Sequence, residues 1–145
     1  MEKACKQKKA GGKKYFCYFE LALQVIGGKW KGNILYHLGN FSTLRFGELK
    51  KNMPDISEKM LIQQLRELEK DGMVKRKIYK QVPPKVEYSL TKLGSSIVPI
   101  LLTLRDWGVH YEKESGLYKL FKDNDQFEQP HDFPQKLCKP VVKKI

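Results

Sequence analysis

The stretch that decides the fold covers residues 57–90, S-E-K-M-L-I-Q-Q-L-R-E-L-E-K-D-G-M-V-K-R-K-I-Y-K-Q-V-P-P-K-V-E-Y-S-L. Its first half carries three leucines at the helical spacing i, i+4, i+7: Leu61, Leu65 and Leu68. Ser57 precedes them, and serine accepts hydrogen bonds from the backbone amides of a first helical turn. Gly72 follows them, and glycine commonly ends a helix. The first half therefore predicts a helix over residues 57–71 that buries its leucines.

The second half predicts an antiparallel β-hairpin with an excess of positive charge. Two strand-like runs, 74–79 and 86–91, flank a tip that contains two prolines. In the second run, alternation predicts one buried face, formed by Val86, Tyr88 and Leu90. Every charged residue from position 75 to position 85 is positive: Lys75, Arg76, Lys77, Lys80 and Lys85. Like charges on paired strands cost stability without an anionic partner, so this charge favours contact with phosphates over a role in solubility alone.

Patterns upstream place this helix and hairpin in a longer order. We expect helices over residues 18–26 and 29–39, the second ended by Gly39, then an extended piece over residues 43–45 and a brief helix over residues 46–52. This order is that of a winged helix-turn-helix. The expected fold class is mainly α with a small β-hairpin (α+β). Residues 57–71 would be the recognition helix and residues 74–90 the wing.

The predicted recognition helix has a polar, basic face opposite its leucines. Lys59, Gln63 and Arg66 recur there at spacings of four and three. Lysine and arginine donate to guanine edges or phosphates, and glutamine pairs with adenine. We therefore predict recognition-helix contacts to DNA from Ser57, Lys59, Gln63 and Arg66, and wing contacts to phosphates from Lys77, Lys80 and Lys85.

A long apolar helix after the wing predicts a subunit interface. Thr91 would cap it, and Pro99 should kink or break it. Between residues 97 and 104 it is apolar nearly all round, more than one domain face requires. With the first helix, it supplies our predicted dimer-interface residues: Phe19, Leu23, Ile97, Leu101, Leu104, Trp107 and Tyr111.

Composition bounds the partners and the organisation. The 145 residues carry a net charge of +12, which favours a polyanionic partner. We divide the chain into a flexible basic arm at residues 1–16, a domain at residues 17–115 and a mostly irregular tail at residues 116–145. No run of 18 apolar residues and no signal-peptide pattern occurs, so we expect a cytoplasmic protein without membrane contact.

Chemistry beyond binding has little support in the sequence. The three histidines are scattered, and no metal-binding, phosphate-cradling or nucleophile motif occurs, so we predict no enzymatic activity, no metal and no cofactor. The cysteines Cys5, Cys17 and Cys138 fit neither a disulfide framework nor a metal site. Cys17 begins the first helix after Lys13 and Lys14, a setting that favours a thiolate. A small buried cysteine is the alternative interpretation.

Several stretches together resemble the HxlR family of bacterial winged-helix regulators. They are C-Y-F-E-L-A-L-Q-V-I-G-G-K-W (17–30), R-F-G-E-L (45–49), I-S-E-K-M-L-I-Q-Q-L-R-E-L-E-K-D-G-M-V (56–74), V-P-P-K-V-E-Y-S-L-T (82–91) and L-R-D-W-G (104–108). The resemblance covers residues 17–114 and implies a homodimer joined by the first and last helices. It also implies sensing of oxidants or electrophiles through a cysteine at the position of Cys17, although Tyr18 stands where the family has proline.

The resulting prediction is a homodimeric, sequence-specific regulator of transcription that binds a roughly palindromic operator in double-stranded DNA of the bacterial nucleoid. Two alternatives stay open. One is a switch that senses a small-molecule or oxidant inducer, in the second case through Cys17. The other is a non-specific nucleic-acid-binding or anti-repressor protein that uses the same fold.

Overall fold

The computed structural model describes residues 6–116. Of the predicted tail at residues 116–145, all but the first residue lies outside this range, and so do Cys138 and Cys5. Within them the elements follow in the order β1 (Lys8–Ala10), β2 (Lys13–Tyr15), α1 (Tyr18–Ile26), α2 (Lys31–Phe41), β3 (Thr43–Arg45), α3 (Phe46–Asn52), α4 (Glu58–Lys70), β4 (Val74–Tyr79), β5 (Lys85–Leu90), α5 (Lys92–Ser96) and α6 (Val98–Glu114). This is the predicted winged helix-turn-helix order, preceded by an additional hairpin.

The core packs α2, α3 and α4 against one another. Leu61, Leu65 and Leu68 of α4 are buried, which confirms the predicted leucine face. They join Leu49 of α3 and three residues of α2 in one apolar cluster: Ile34, Leu35 and Leu38. Because α4 buries one face and exposes the other, the core determines which of its side chains are available to a partner.

Both ends of α4 form as the sequence predicts. The Ser57 Oγ accepts a hydrogen bond from the Met60 amide at 3.2 Å and caps the helix. At the other end, Gly72 has a φ of 72°, and its amide donates to the Glu69 carbonyl at 3.0 Å. Glycine adopts this left-handed conformation without a steric penalty. The wing therefore begins two residues later in a defined direction.

The wing belongs to a three-stranded antiparallel sheet in the order β3-β5-β4. β5 is the central strand, and all six of its residues are half-buried. The predicted alternation, with Val86, Tyr88 and Leu90 as one buried face, is therefore wrong in this simple form. Tyr88 and Leu90 do pack against the core, but Val86 is not among the residues in contact with it. Flanking by β3 and β4 on both sides reduces the exposure of the outward-facing residues as well.

The second helix differs from the prediction at Gly39. α2 continues through this glycine to Phe41, where the Ser42 amide donates to the Leu38 carbonyl at 3.0 Å. A Cβ at position 39 would lie 2.7 Å from the Val98 Cγ2. Gly39 is thus required for close packing of Val98 against α2, and it does not end the helix.

The predicted break near Pro99 is confirmed. α5 ends at Ser96, and α6 begins at Val98. Thr91 caps α5, since its Oγ1 accepts a hydrogen bond from the Gly94 amide at 3.0 Å. By its contacts the chain divides within α6: one compact unit ends at Leu102 and a second begins at Thr103.

The basic N-terminal segment differs from the expected flexible arm. Residues 8–15 form a hairpin in which β1 pairs with β2. Tyr15 is buried, and the Lys13 ammonium lies 2.6 Å from the Asp71 carboxylate at the end of α4. We predicted disorder from repulsion between like charges. The ion pair with Asp71, which is distant in sequence, and the buried ring of Tyr15 instead stabilise the hairpin. Within residues 6–116, no helix has the length and apolar character needed to cross a membrane.

Candidate nucleic-acid interface

The exposed face of α4 brings together the predicted recognition residues. Ser57, Lys59, Gln63 and Arg66 are all exposed, on the side opposite the buried leucines. The Ser57 oxygen is occupied as the helix cap, but a hydroxyl that accepts one hydrogen bond still has a hydrogen to donate. This face therefore presents hydrogen-bond donors over more than two helical turns, the chemistry that suits base edges and phosphates.

Gln63 does not stand alone on this face. Its Nε2 donates to the Glu67 Oε1 at 3.1 Å, while the Glu67 Oε2 lies 2.8 Å from the Lys31 ammonium of α2. The hydrogen bond from Lys31, and after it the one from Gln63, lowers the pKa of Glu67. Sequence reasoning paired Gln63 with no other residue. Its i, i+4 spacing to Glu67 was visible, but the participation of Lys31 depends on how α2 packs against α4.

Ile62 is a further residue that sequence reasoning missed. It is 41% exposed and lies beside Gln63, between Lys59 and Arg66 on the exposed face of α4. An apolar side chain at such a position can contact the methyl group of thymine in the major groove. Its position outside the Leu61, Leu65 and Leu68 face was the feature of the sequence that could have identified Ile62 as exposed.

Cross-strand pairing in the wing corrects the charge argument made from sequence. In the strand register, Lys77 lies opposite Glu87, Lys75 opposite Ser89 and Arg76 opposite Tyr88. None of these positive residues therefore faces another positive residue across the strands. Repulsion between like charges on opposite strands therefore does not support the prediction of an anionic partner. The positive charge concentrates instead on β4 and the tip, where residues 75–77 and Lys80 are exposed.

The three predicted wing lysines have different surroundings. The Lys85 ammonium lies 2.6 Å from the Glu87 carboxylate and 4.7 Å from the centre of the Tyr79 ring. The hydrogen bond from Lys85, and after it the one from Tyr79, lowers the pKa of Glu87. The Lys77 ammonium lies 4.8 Å from the same ring. Within residues 6–116, neither Lys77 nor Lys80 forms an ion pair, and Lys80 also lies over no aromatic ring, so its charge is the most available of the three.

Comparison with known proteins agrees with this geometry. A family model described as HxlR-like helix-turn-helix matches residues 25–116. The chain belongs to the HxlR-like helix-turn-helix family. It is 57% identical over 102 residues to the HTH-type transcriptional regulator YkvN of Bacillus subtilis, a match that covers 70% of this chain and 86% of YkvN. The HTH-type transcriptional regulator YdeP of the same organism is 53% identical over 96 residues, 66% of this chain and 74% of YdeP.

Solved structures of regulators have the same fold. The redox regulator HypR in its oxidised form superposes with a TM-score of 0.62 at 51% identity, covering 65% of this chain and 96% of HypR. HypR in its reduced form gives a TM-score of 0.63 at 49% identity, covering 66% of this chain and 94% of that one. The predicted family and the predicted winged-helix fold are confirmed.

The predicted dimer-interface residues of this HxlR-like chain separate into two groups. Leu101 is only 6% exposed and belongs to the core of its own chain, and Ile97 packs against that core. Intrachain packing therefore buries Leu101 and partly buries Ile97, and their contacts to a partner stay a prediction. The other five side chains are exposed: Phe19, Leu23, Leu104, Trp107 and Tyr111.

Cys17 is exposed, so the alternative of a small buried cysteine does not apply. Its Sγ accepts a hydrogen bond from the Glu20 amide at 3.4 Å and caps α1. The Glu20 carboxylate accepts from the Phe16 amide at 2.8 Å, directly before the cysteine, while Lys13 pairs with Asp71. Of the two lysines expected near the thiol, one is therefore paired elsewhere. Among the described residues, no cluster of three or more histidine, cysteine or acidic side chains could hold a metal ion.

Proposed function

We propose that this HxlR-like protein is a homodimeric, sequence-specific DNA-binding regulator of transcription and not an enzyme. One observation carries the proposal: α4 is capped at both ends, buries its leucines and presents an exposed donor face, and the positively charged wing follows it directly. An amphipathic helix held in this way can enter the major groove without rearrangement. The proposed site of action is DNA in the bacterial cytoplasm.

Base reading and phosphate binding are divided between the two elements. Lys59, Gln63 and Arg66 are proposed to contact base edges, with Ser57 donating to the backbone at the start of α4. Lys80 is proposed to contact phosphate from the wing tip, joined by Lys77 from β4. A phosphate contact from Lys85 has less support, because the Lys85 ammonium forms an ion pair with Glu87. α4 would supply sequence preference, and the wing would supply affinity that depends on salt.

Exposed apolar side chains support a homodimer. α1 exposes Phe19 and Leu23, and the second half of α6 exposes Leu104, Trp107 and Tyr111, of which the last two stack with ring centres 5.5 Å apart. Large apolar side chains in such numbers on a short chain favour contact with a second protein surface. Two-fold symmetry would place two copies of α4 on half-sites about 10 bp apart, or a multiple of that distance.

A gel-shift titration at one fixed salt concentration tests the proposal. The probes are the DNA upstream of the protein's own gene and a scrambled duplex of equal length and composition. Specific regulation predicts affinity at least tenfold higher for the upstream DNA, because specific sites exceed non-specific ones by a factor of about 1,000 or more. Equal affinity for both probes would contradict sequence-specific binding and favour the non-specific or anti-repressor alternative.

A second candidate function is a thiol switch at Cys17. The exposed sulfur at the N-terminus of α1 supports it, since this helix also carries proposed dimer contacts. The similarity to HypR, a redox regulator, supports it further. Treatment with a thiol oxidant should then change DNA affinity in the wild type and in a Cys5→Ser/Cys138→Ser variant, but not in Cys17→Ser. A response that persists in Cys17→Ser would exclude this cysteine as the sensor.

A further inference from the structure

We propose that Glu67 is a positioning residue that determines the orientation in which Gln63 presents its amide to DNA. The inference rests on the proposed role of α4 as the recognition helix. It assigns a part in base recognition to two residues that need not contact DNA themselves, Glu67 of α4 and Lys31 of α2. Three side chains from two helices carry it.

The Glu67 carboxylate bridges Gln63 and Lys31 through different oxygens. Its Oε1 accepts from the Gln63 Nε2 at 3.1 Å, and its Oε2 lies 2.8 Å from the Lys31 Nζ. The Lys31 side chain is only 12% exposed, whereas that of Glu67 is 40% exposed. Lys31 therefore anchors the carboxylate against the body of the domain, and the carboxylate extends that anchor to the exposed face of α4.

The hydrogen bond to the anchored Glu67 carboxylate fixes the positions of the NH₂ group and the carbonyl oxygen of the Gln63 amide. An unrestrained glutamine can exchange its NH₂ and carbonyl positions by rotation about its last side-chain bond. Here one NH₂ hydrogen is held by Glu67, so the exchange would break that hydrogen bond and turn the Gln63 carbonyl oxygen toward a carboxylate. Gln63 keeps its second NH₂ hydrogen and its carbonyl oxygen in one fixed order.

A fixed order matters because adenine is recognised by one donor and one acceptor side by side. In the major groove adenine offers N7 as an acceptor and the N6 amino group as a donor. Glutamine matches this pair only when its own donor and acceptor are in the complementary order. Preorganisation by Glu67 and Lys31 would therefore sharpen the choice of base at one position, with less effect on overall affinity.

The probe for the test is a duplex selected from a random-sequence library by the wild-type protein. Fluorescence anisotropy at one salt concentration measures affinity for it and for duplexes with each base pair changed in turn. Gln63→Ala should reduce discrimination about fivefold or more at one base pair. Glu67→Ala and Lys31→Met should each reduce discrimination about threefold at that same pair and leave the others within about twofold.

Glu69→Ala is the matched control, since it removes the same charge from an exposed position of the same helix. It should raise affinity for all duplexes alike and keep the discrimination profile. The double variant Gln63→Ala/Glu67→Ala should discriminate no worse at that pair than Gln63→Ala. Thermal melts of the variants establish that they fold.

The outcomes separate this inference from the proposed function. If the wild type selects no common sequence, sequence-specific binding fails, and the inference fails with it. If a sequence is selected but Glu67→Ala keeps full discrimination at the Gln63 position, the positioning role is overturned and the regulator remains. The same holds if Gln63→Ala changes no single position, or if Glu67→Ala merely reproduces the profile of Glu69→Ala.

Discussion

Removal of the Lys80 ammonium is the sharpest test of the wing as a phosphate-binding element. Lys80 is exposed at the tip and forms no ion pair within the part of the chain that the structure describes. Its charge is therefore free to displace a counterion from DNA. We expect Lys80→Ala to weaken binding to operator and scrambled DNA by similar factors, because phosphates are the same in both.

The magnitude follows from counterion release. Each phosphate neutralised contributes about 0.9 to the slope of log affinity against log salt concentration. A dimer with two wings would lose two contacts, so the slope should become shallower by about 1.8. Between 50 and 200 mM salt, the ratio of the wild-type DNA affinity to that of Lys80→Ala should then decrease about 12-fold. A change near 0.9 would mean that only one wing engages per bound complex.

Fluorescence anisotropy titrations at four or five salt concentrations measure this slope. Lys113→Ala, at the end of α6, is the control for net charge alone, since it removes one charge outside α4 and the wing. A second comparison is the variant Lys85→Met/Glu87→Gln, which removes an ion pair without a change of net charge. Its slope should equal that of the wild type if Glu87 occupies the Lys85 ammonium.

Two results would refute this reasoning. If Lys80→Ala and Lys113→Ala shift the slope equally, the wing has no specific role and only net charge matters. If the Lys85→Met/Glu87→Gln variant loses as much slope as Lys80→Ala, then Lys85 binds phosphate in spite of its ion pair.

Three further predictions concern packing, pH and assembly. Gly39→Ala should lower the free energy of unfolding in urea by about 1–2 kcal/mol, because overpacking against Val98 outweighs the gain in helix propensity, whereas Gly47→Ala, with open space around it, should not destabilise. Burial lowers the pKa of His37 below 6.5, so the unfolded state binds more protons as the pH falls through that value. The free energy of unfolding should therefore decrease on acidification from pH 6.5, and less so in His37→Gln; an increase would contradict a buried neutral histidine. Trp107→Ala, at a side chain 59% exposed in one chain, should raise the dissociation constant of the dimer roughly 30-fold in sedimentation experiments, and an unchanged constant would remove Trp107 from the interface.

Local sequence signals predicted the parts of this fold that depend on neighbouring residues. Ser57, Gly72 and Thr91 act where their chemistry indicates, because capping and left-handed glycine involve only the adjacent turn. The leucine face of α4 and the break before Pro99 follow from periodicity and ring geometry. Gly39 failed as a stop signal, since the same residue type also serves where two elements must approach closely.

For the candidate site, sequence identified the exposed face of α4 but not the state of its side chains. Periodicity assigns Gln63 to a face, and nothing in it says that Glu67 holds the amide or that Lys31 holds Glu67. Likewise, a run of positive charges indicated a basic wing. Only the structure revealed that Glu87 lies opposite Lys77, that the Glu87 carboxylate forms an ion pair with Lys85, and that Lys80 forms no ion pair within residues 6–116.

The sequence by itself determined the order of elements from α1 to β5, the family and the face of α4 that points away from the core, because these depend on patterns within a few residues. The tertiary structure decided which charges are paired. Lys13 meets Asp71, 58 positions further along the chain, and thereby orders a hairpin that repulsion alone would leave flexible. It also placed Leu101 in the core of its own chain. Periodicity encodes which side of an element is apolar, but which surface covers that side depends on how distant segments pack together.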